Sequence, residues 1–307
     1  MNPTAPGGGP AAAAPAAQGS GDRFATLVLL FSASLWGLAW WPMQQLAARG
    51  VQGPALSLLA YGGVGLLGVP LLWRERARWR GEARYLAAIA LVGGWGAASF
   101  VWAMSQGDVV REMLLFYLAP AWSVLGGRLF LKERLGARRA AAVALAMAGA
   151  ALVIRGGAPG SGVGGSGGVT MADLMALSSS ITFAGNNLIT RAASAIPVAS
   201  KAVALMLGCA LISAAFLVGA GLGVPELPGP VALGVMAFAV IWIVGGSSTT
   251  AYGVSHLDAG RSAIIILAEL VAAVVSASLI KDRVPTMPEI IGGSLILLAA
   301  ALEVLQS

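Results

Sequence analysis

The chain has 307 residues, of which 58% are hydrophobic and only 10% are charged, with a formal net charge of +6. Soluble domains carry about 25% charged residues, so this composition excludes an ordinary soluble protein. Apolar runs of about 20 residues, enough to cross a hydrocarbon core about 30 Å thick, predict an integral membrane protein. The basic residues stand in short segments between these runs, which indicates membrane topology rather than a nucleic-acid-binding face.

Residue types that carry catalysis or hold metals are scarce. A single cysteine, Cys209, and a single histidine, His256, exclude a disulfide framework and a multi-ligand zinc site. We find no histidine-paired nucleophile and no glycine-rich phosphate loop joined to a lysine. The sequence therefore predicts neither an enzyme nor a bound cofactor or metal.

The chain divides into four parts. Residues 1–22, rich in Pro, Gly and Ala, predict a disordered tail, and residues 156–168 predict a Gly/Ser-rich flexible linker. Residues 23–155 and 169–307 each hold five predicted membrane spans, so we expect an all-α membrane protein with ten transmembrane helices. The first five spans are Phe24–Ala48, Pro54–Trp73, Tyr85–Ser105, Val110–Leu131 and Ala140–Ile154. The second five are Val169–Ala192, Ala202–Val224, Val231–Val254, Ser262–Ile280 and Ile290–Leu305.

The basic residues between the spans predict the orientation. With the N-terminus inside, the inner segments hold thirteen Lys and Arg residues and the outer segments hold five, while Arg128 lies within a span. The positive-inside rule then predicts a multi-pass protein of the plasma (inner) membrane with both termini cytoplasmic. Arg111 and Glu112 open the fourth span on the outer side. They are expected either to gate the outer mouth or to form a surface pair.

Residues 109–135 return, about 149 residues later, as residues 258–284. The pair LA at 118–119 aligns with LA at 267–268, KER at 132–134 aligns with KDR at 281–283, and Glu269 takes the place of Pro120. An odd number of spans in each half inverts the second copy in the membrane. Inverted-topology repeats are common in secondary transporters, whose substrate site lies near the midplane between the repeats. We therefore expect Pro120 and Glu269 to approach each other there.

Glu269 is the sharpest candidate for function. It lies about eight residues inside the ninth predicted span, where an ionisable group is costly unless it faces a cavity or a partner. It could hold a substrate ammonium group or load and release a proton, and the alternative is a structural carboxylate. Pro120 lacks a backbone N–H and is expected to break or kink the fourth span.

Aromatic and polar residues at helical spacing are expected to line an apolar cavity that has a few polar groups for orientation. For each aromatic residue the alternative is simple packing or an interfacial belt. The predicted substrate-binding residues are Trp36, Trp40, Trp95, Ser99, Tyr117, Phe183, Asn186, Asn187, Tyr252 and Glu269.

The stretch MLLFYLAPAW at 113–122, followed by LFLKERL at 129–135, resembles the EamA-type members of the drug/metabolite transporter superfamily. SLWG at 34–37 and the second copy ending in KDR at 281–283 support the resemblance, which spans about residues 24–305. Within that superfamily the sequence looks most like the YddG-type amino-acid exporters. The resemblance implies two inverted five-helix repeats that export small metabolites by alternating access. Glu269 departs from the family's usual second repeat, where a proline is common.

The sequence thus predicts a secondary transporter that exports small metabolites, foremost amino acids including aromatic ones. Its expected partners are a small-molecule substrate and membrane lipid, and ten spans suffice to enclose a pathway in a monomer. One alternative is an exporter of other small metabolites or lipophilic cations on the same fold. The other is a non-transporting membrane receptor or scaffold, which would need no polar-lined central cavity.

Overall fold

We describe a computed structural model of the protein, which covers residues 18–131, 136–156, 169–282 and 284–304. Within these ranges the regular structure is entirely helical, which confirms the all-α class. The predicted tail up to residue 17, the linker at 157–168 and the basic cluster at 132–134 lie outside the described residues. The division into four parts therefore stays a prediction.

Nine helices form the described part of the first half, residues 18–131 and 136–156. They are α1 (Gln18–Gly37), α2 (Trp40–Ala47), α3 (Gly53–Arg74), α4 (Arg76–Trp79), α5 (Ala83–Ala88), α6 (Gly94–Gln106), α7 (Val109–Phe116), α8 (Ala119–Leu131) and α9 (Ala137–Arg155). A short 3-10 turn, Arg80–Glu82, precedes α5, and a π-helical stretch, Ile89–Gly93, joins α5 to α6.

The second half forms seven helices among the described residues. They are α10 (Met171–Ala192), α11 (Val198–Gly219), α12 (Gly229–Phe238), α13 (Ser247–His256), α14 (Ala259–Ile266), α15 (Ala268–Lys281) and α16 (Met287–Val304). A π-helical stretch, Ala239–Gly246, joins α12 to α13.

In the part of the chain that the structure describes, eight helical segments are long and apolar enough to cross a membrane, which confirms a multi-pass membrane protein. They are Asp22–Ala47, Gly53–Arg74, Arg76–Gln106, Val109–Leu129, Ala137–Arg155, Val198–Gly219, Gly229–His256 and Gly260–Lys281. Helix α10 carries more polar residues and is not among them, and α16 is apolar but shorter. The predicted count of ten spans therefore stays a prediction.

Helix ends gather at two opposite faces. At the face that flanks residues 157–168, here called the linker face, the Thr286 hydroxyl donates to the Gly156 carbonyl at 3.0 Å. The Gln44 amide donates to the Gly107 carbonyl at the same face, at 3.2 Å. At the opposite face, called the terminal face, the Ser200 hydroxyl donates to the Glu75 carboxylate. These contacts fix which loops share a face.

Three of the long segments are interrupted within the bundle. The interruptions lie at residues 38–39 between α1 and α2, at 117–118 between α7 and α8, and at Leu267 between α14 and α15. The sequence predicted the middle one from Pro120, which occupies the second position of α8, where its missing N–H costs no helical bond. In the second copy Glu269 takes the second position of α15. Both copies thus break at the same place.

The two copies also share the element that precedes each break. Helices α7 and α14 are each 8 residues long, and each follows an aspartate at the N-cap position, Asp108 and Asp258. The interruption spans two residues in the first copy and one in the second. Residues after the break therefore correspond at the spacing of about 149 residues that the sequence predicted. Before the break the spacing is one residue longer, so that Arg111 corresponds to Arg261.

A reciprocal pair of buried hydrogen bonds repeats between the halves. The Ser179 hydroxyl donates to the Gly96 carbonyl at 2.8 Å, and the Ser32 hydroxyl donates to the Gly246 carbonyl at 3.0 Å. Each bond joins the first long helix of one half to the segment carrying a π-helical stretch in the other half. This exchange supports an internally duplicated chain whose halves pack against each other.

Candidate functional site

Two of the three interruptions, the one after α7 and the one after α14, meet at one place. The Tyr117 hydroxyl, at the end of α7, donates to the Ile266 carbonyl, at the end of α14, at 3.0 Å. The same hydroxyl interacts with the Glu269 carboxylate. Gly37 packs so closely here that a Cβ at this position would stand 2.5 Å from the Glu269 carbonyl oxygen. We call Gly37, Tyr117, Ile266 and Glu269 the junction site.

The local backbone favours a polar ligand at the junction site. The first turn of a helix has N–H groups without intrahelical partners and carries the positive end of the helix dipole, which stabilises a carboxylate. Glu269 lies in the first turn of α15 and is half-buried. Interrupted helices inside a membrane leave backbone groups free where they line a cavity or meet protein. The site therefore offers a carboxylate, a phenol and main-chain groups to a small zwitterion or cation.

Two of the predicted tryptophans, Trp36 and Trp40, lie on either side of Gly37 in the first interrupted segment. Trp40 is 2% exposed, and its Nε1 donates to the Ser276 hydroxyl of α15 at 2.9 Å. The Lys281 ammonium lies 5.4 Å from the centroid of the Trp40 ring. Trp36 is half-buried, with its ring against Gly246. Trp40 thus ties α2 to α15, while Trp36 lies one turn earlier.

Aromatic rings connect the junction site to α10. The Phe183 ring, 45% exposed, meets the Phe116 ring edge to face at 5.4 Å between centroids. The Phe116 and Tyr117 centroids lie 6.2 Å apart. Phe116 was not among the predicted site residues, although its position before Tyr117 could have suggested it. This row gives the site an apolar side.

The predicted residues on the third span, Trp95 and Ser99, form hydrogen bonds with α10 and with their own helix. Trp95 is 39% exposed and donates to the Ser178 hydroxyl at 3.2 Å. The Ser99 hydroxyl donates to the Trp95 and Gly96 carbonyls of its own helix, at 2.7 and 3.3 Å. That hydroxyl is therefore engaged in its own helix in this conformation, and the binding roles of both residues stay predictions.

The two asparagines of α10 differ in their surroundings. Asn186 is partly buried, and within the described ranges its buried Oδ1 accepts no hydrogen bond. That oxygen lies against Gly93, where a Cβ would stand only 2.6 Å away. Asn187 is exposed. An unsatisfied buried amide is costly, so Asn186 is the better placed of the two to hold a ligand.

Tyr252 lies at the terminal face, apart from the junction site. Its ring stacks on His256 at 4.2 Å and meets the Phe24 ring edge to face at 5.8 Å. His256 Nδ1 also lies 2.8 Å from the Tyr252 carbonyl. These contacts lie where α13 ends and α1 begins, so the binding role of Tyr252 stays a prediction.

A recess lies beside Pro120, on the side of Tyr117 that faces α9 and α16. It is lined by Tyr117, Pro120, Val124, Ala142, Ile296 and Ala300, together with neighbouring small residues. Its volume of about 10 Å³ holds about one water molecule. A metabolite can enter this recess only if the helices around the break move apart.

Arg111 and Glu112 are buried, 3% and 1% exposed, so the surface-pair interpretation of these two residues is wrong. The Arg111 guanidinium binds Asp173 of α10 in a bidentate ion pair. Sequence reasoning did not identify Asp173 as the partner. The signal available was a T-x-x-D pattern at 170–173, which forms a capping box at the start of α10.

Replacing Tyr117 with Phe removes a hydroxyl that bonds the two interruptions. We expect Tyr117→Phe to lower the free energy of unfolding in detergent by about 0.6–1.5 kcal/mol, the range for side-chain hydrogen bonds within membranes and proteins. Thermal unfolding followed by tryptophan fluorescence measures the change. Tyr252→Phe is the control, because Tyr252 is 38% exposed at the terminal face. Equal effects of the two changes would contradict a bond at the junction.

Comparisons with known proteins agree with this architecture. Seventeen chains of solved structures match, and one crystal structure is similar over 92% of this chain and 97% of its own, with a TM-score of 0.59 and 20% identity. At that identity the likeness shows the fold alone. No curated protein matches the chain. Residues 23–155, from α1 to the end of α9, match the EamA-like transporter family, which indicates a membrane transporter of small molecules.

Proposed function

We propose that the whole chain is a secondary transporter of the EamA type that exports small metabolites, foremost amino acids including aromatic ones. One observation carries the proposal. Two interrupted helices meet within the bundle, where the Tyr117 hydroxyl bonds the Ile266 carbonyl and interacts with Glu269. A carboxylate at a helix N-terminus, beside broken backbone and aromatic rings, suits a ligand with an ammonium group and an apolar part.

The proposed mechanism is alternating access by two inverted five-helix repeats, with both termini cytoplasmic. Matching breaks, matching N-caps and the reciprocal Ser179 and Ser32 bonds support the duplication. In such transporters one repeat rocks against the other around a fixed site. The junction site lies between the repeats, so rocking would expose it first to one face and then to the other.

Amino acids fit this site better than phosphorylated cargo does. The Glu269 carboxylate can accept hydrogen bonds from an ammonium group, and the N-terminus of α15 carries the positive end of the helix dipole, which can attract a carboxylate. The Phe116 ring and the half-buried Trp36 offer apolar contact to a side chain. Binding of a phosphorylated metabolite would require several basic residues at this depth, whereas the junction site supplies a carboxylate.

Transport by reconstituted vesicles tests the proposal. Wild-type protein is expected to move at least one member of a broad amino-acid panel, and no movement of any member would overturn the substrate assignment. Glu269→Gln should lower that transport by about 10–100-fold, since hydrogen bonds to charged groups contribute about 1.5–3 kcal/mol. Glu226→Gln, which changes an exposed carboxylate near the linker face, is the matched control. If Glu269→Gln abolishes movement of lipophilic cations yet leaves movement of zwitterions unchanged, the carboxylate binds cations and does not hold the ammonium group of an amino acid.

A further inference from the structure

A buried ion pair closes the linker face between the two halves. Arg111 Nε lies 2.5 Å from Asp173 Oδ1, and the side chains are 4% and 0% exposed. Arg111 Nη2 donates to Asp173 Oδ2 at 2.7 Å. Arg111 belongs to the first turn of α7, in the first half, and Asp173 to the first turn of α10, in the second half. The pair therefore holds together the ends of two helices from different repeats.

Further hydrogen bonds hold Arg111 and Asp173 in position. The Arg111 N–H donates to the Asp108 carboxylate at 3.1 Å, so the N-cap positions the start of α7. The Asp173 carboxylate accepts the Thr170 N–H at 2.6 Å within its capping box. Glu112, 1% exposed, lies beside the pair. Both residues of the bidentate pair are thus held in position by hydrogen bonds at the starts of their own helices.

A second ion pair stands at the terminal face. Arg261 follows the N-cap Asp258 of α14 by the same three positions that separate Arg111 from Asp108. Arg261 Nη1 lies 3.8 Å from Asp22 Oδ2, near the start of α1, and the side chains are 47% and 53% exposed. This pair is looser and more exposed than the pair at the linker face.

The two pairs share one design. Each joins an arginine, in the first turn of an interrupted helix, to an aspartate near the start of the first long helix of the opposite half. The repeated bonds of Ser32 and Ser179 place Asp22 about one helical turn farther out than Asp173. The two arginines thus occupy equivalent positions in the two halves, and the positions of the two aspartates differ by about one helical turn.

We infer that Arg111–Asp173 and Arg261–Asp22 are the two gates of the transport cycle, and that they close in alternation. The inference rests on the proposed transport function. In this structure the linker-face gate is shut, with its pair buried and bidentate, and the terminal-face gate is loose. In the opposite state the Arg261–Asp22 pair tightens and becomes buried while the Arg111–Asp173 pair separates. Each aspartate is a positioning residue and need not touch the substrate.

The reactivity of a buried reporter thiol tests the gates without requiring transport. Ser180 is 0% exposed and lies two turns inside Asp173 on the same face of α10. The full chain carrying Ser180→Cys is purified in detergent and treated with a charged maleimide. Native Cys209, 0% exposed on α11, reports unfolding. With both gates intact, the Ser180→Cys thiol is expected to react slowly.

Adding Asp173→Asn should accelerate labelling of the Ser180→Cys thiol about tenfold, because a minor open state of about 1–10% becomes a major one. Adding Asp22→Asn instead should leave the rate unchanged or lower it. The double reversal Arg111→Asp with Asp173→Arg should restore protection, which a loss of packing alone would not allow. Asp173→Asn leaves a buried arginine unpaired, so Arg111→Gln with Asp173→Asn serves as a second variant with neither charge.

Two results would overturn the gates. One is a protected Ser180→Cys thiol in the neutralised double variant while Cys209 also stays unlabelled. The other is equal acceleration by Asp22→Asn and Asp173→Asn, since opposed gates cannot both protect the same thiol. If labelling follows the expected pattern but vesicles move no amino acid, the gates stand and the proposed substrate fails.

Discussion

Asp173→Ala is expected to lower the free energy of unfolding in detergent by about 3–5 kcal/mol, the range for breaking a buried ion pair. The change leaves the Arg111 guanidinium buried without its bidentate carboxylate, at a site where the two side chains are 4% and 0% exposed. It also removes the carboxylate that accepts the Thr170 N–H in the capping box of α10. Chemical unfolding followed by tryptophan fluorescence measures the loss.

Asp22→Ala is the matched control, because it removes an aspartate whose ion pair with Arg261 is 3.8 Å long and about half exposed. Exposed pairs contribute about 0–1 kcal/mol, so the unfolding curve should scarcely move. Equal losses in the two variants would show that burial does not distinguish the pairs.

Gly208→Ala is expected to destabilise the protein by about 2–3 kcal/mol or more, the cost of overpacking a close contact. A Cβ at this position would stand 1.9 Å from the Ala90 carbonyl oxygen, in the π-helical stretch before α6. Backbone atoms cannot rotate away as a side chain can, so α11 would have to separate from that stretch. Gly94 lies on the other side of the same contact, where an added Cβ would stand 2.6 Å from the backbone carbonyl carbon of Gly208. Unfolding in detergent again measures the change.

Gly63→Ala controls for the glycine substitution itself. Gly63 lies in α3, and a Cβ there meets nothing within 4 Å. The expected change is within about 0.5 kcal/mol, as for substitutions away from packed features. Alanine is the better helix former, so helix propensity alone would favour both substitutions. A comparable loss at Gly63 would mean that the close approach of two backbones does not set the cost at Gly208.

Span positions were well predicted because apolar length is a local property. The predicted span Pro54–Trp73 and the observed helix Gly53–Arg74 differ by one residue at each end. Pro120 marked the interruption of the first copy for a similar reason, since a missing N–H acts on its own helix. At Leu267 no proline marks the break, and the sequence did not predict one there. The π-helical stretches had no sequence signal that we recognised.

Contacts between distant residues were harder to predict. Arg111 was recognised as a gate candidate, yet its partner Asp173 lies in the other half of the chain and needed the packing of α7 on α10. The direction of each side chain depends on the rotation of its helix, which composition does not determine. Trp40 is therefore buried against α15 while Asn187 is exposed. Phe116 lies at the site because its ring contacts the Phe183 ring of α10, which the sequence around Phe116 does not reveal.

The acceptor at the junction of the two breaks is a main-chain carbonyl, that of Ile266. Every amino acid carries that oxygen, so no side-chain substitution at position 266 can delete it. A mutational scan would consequently detect this hydrogen bond only through substitutions of Tyr117, the residue whose side chain donates it. Residue 266 is free to vary in sequence while the junction persists, and its importance is visible in three dimensions but not in a table of tolerated substitutions.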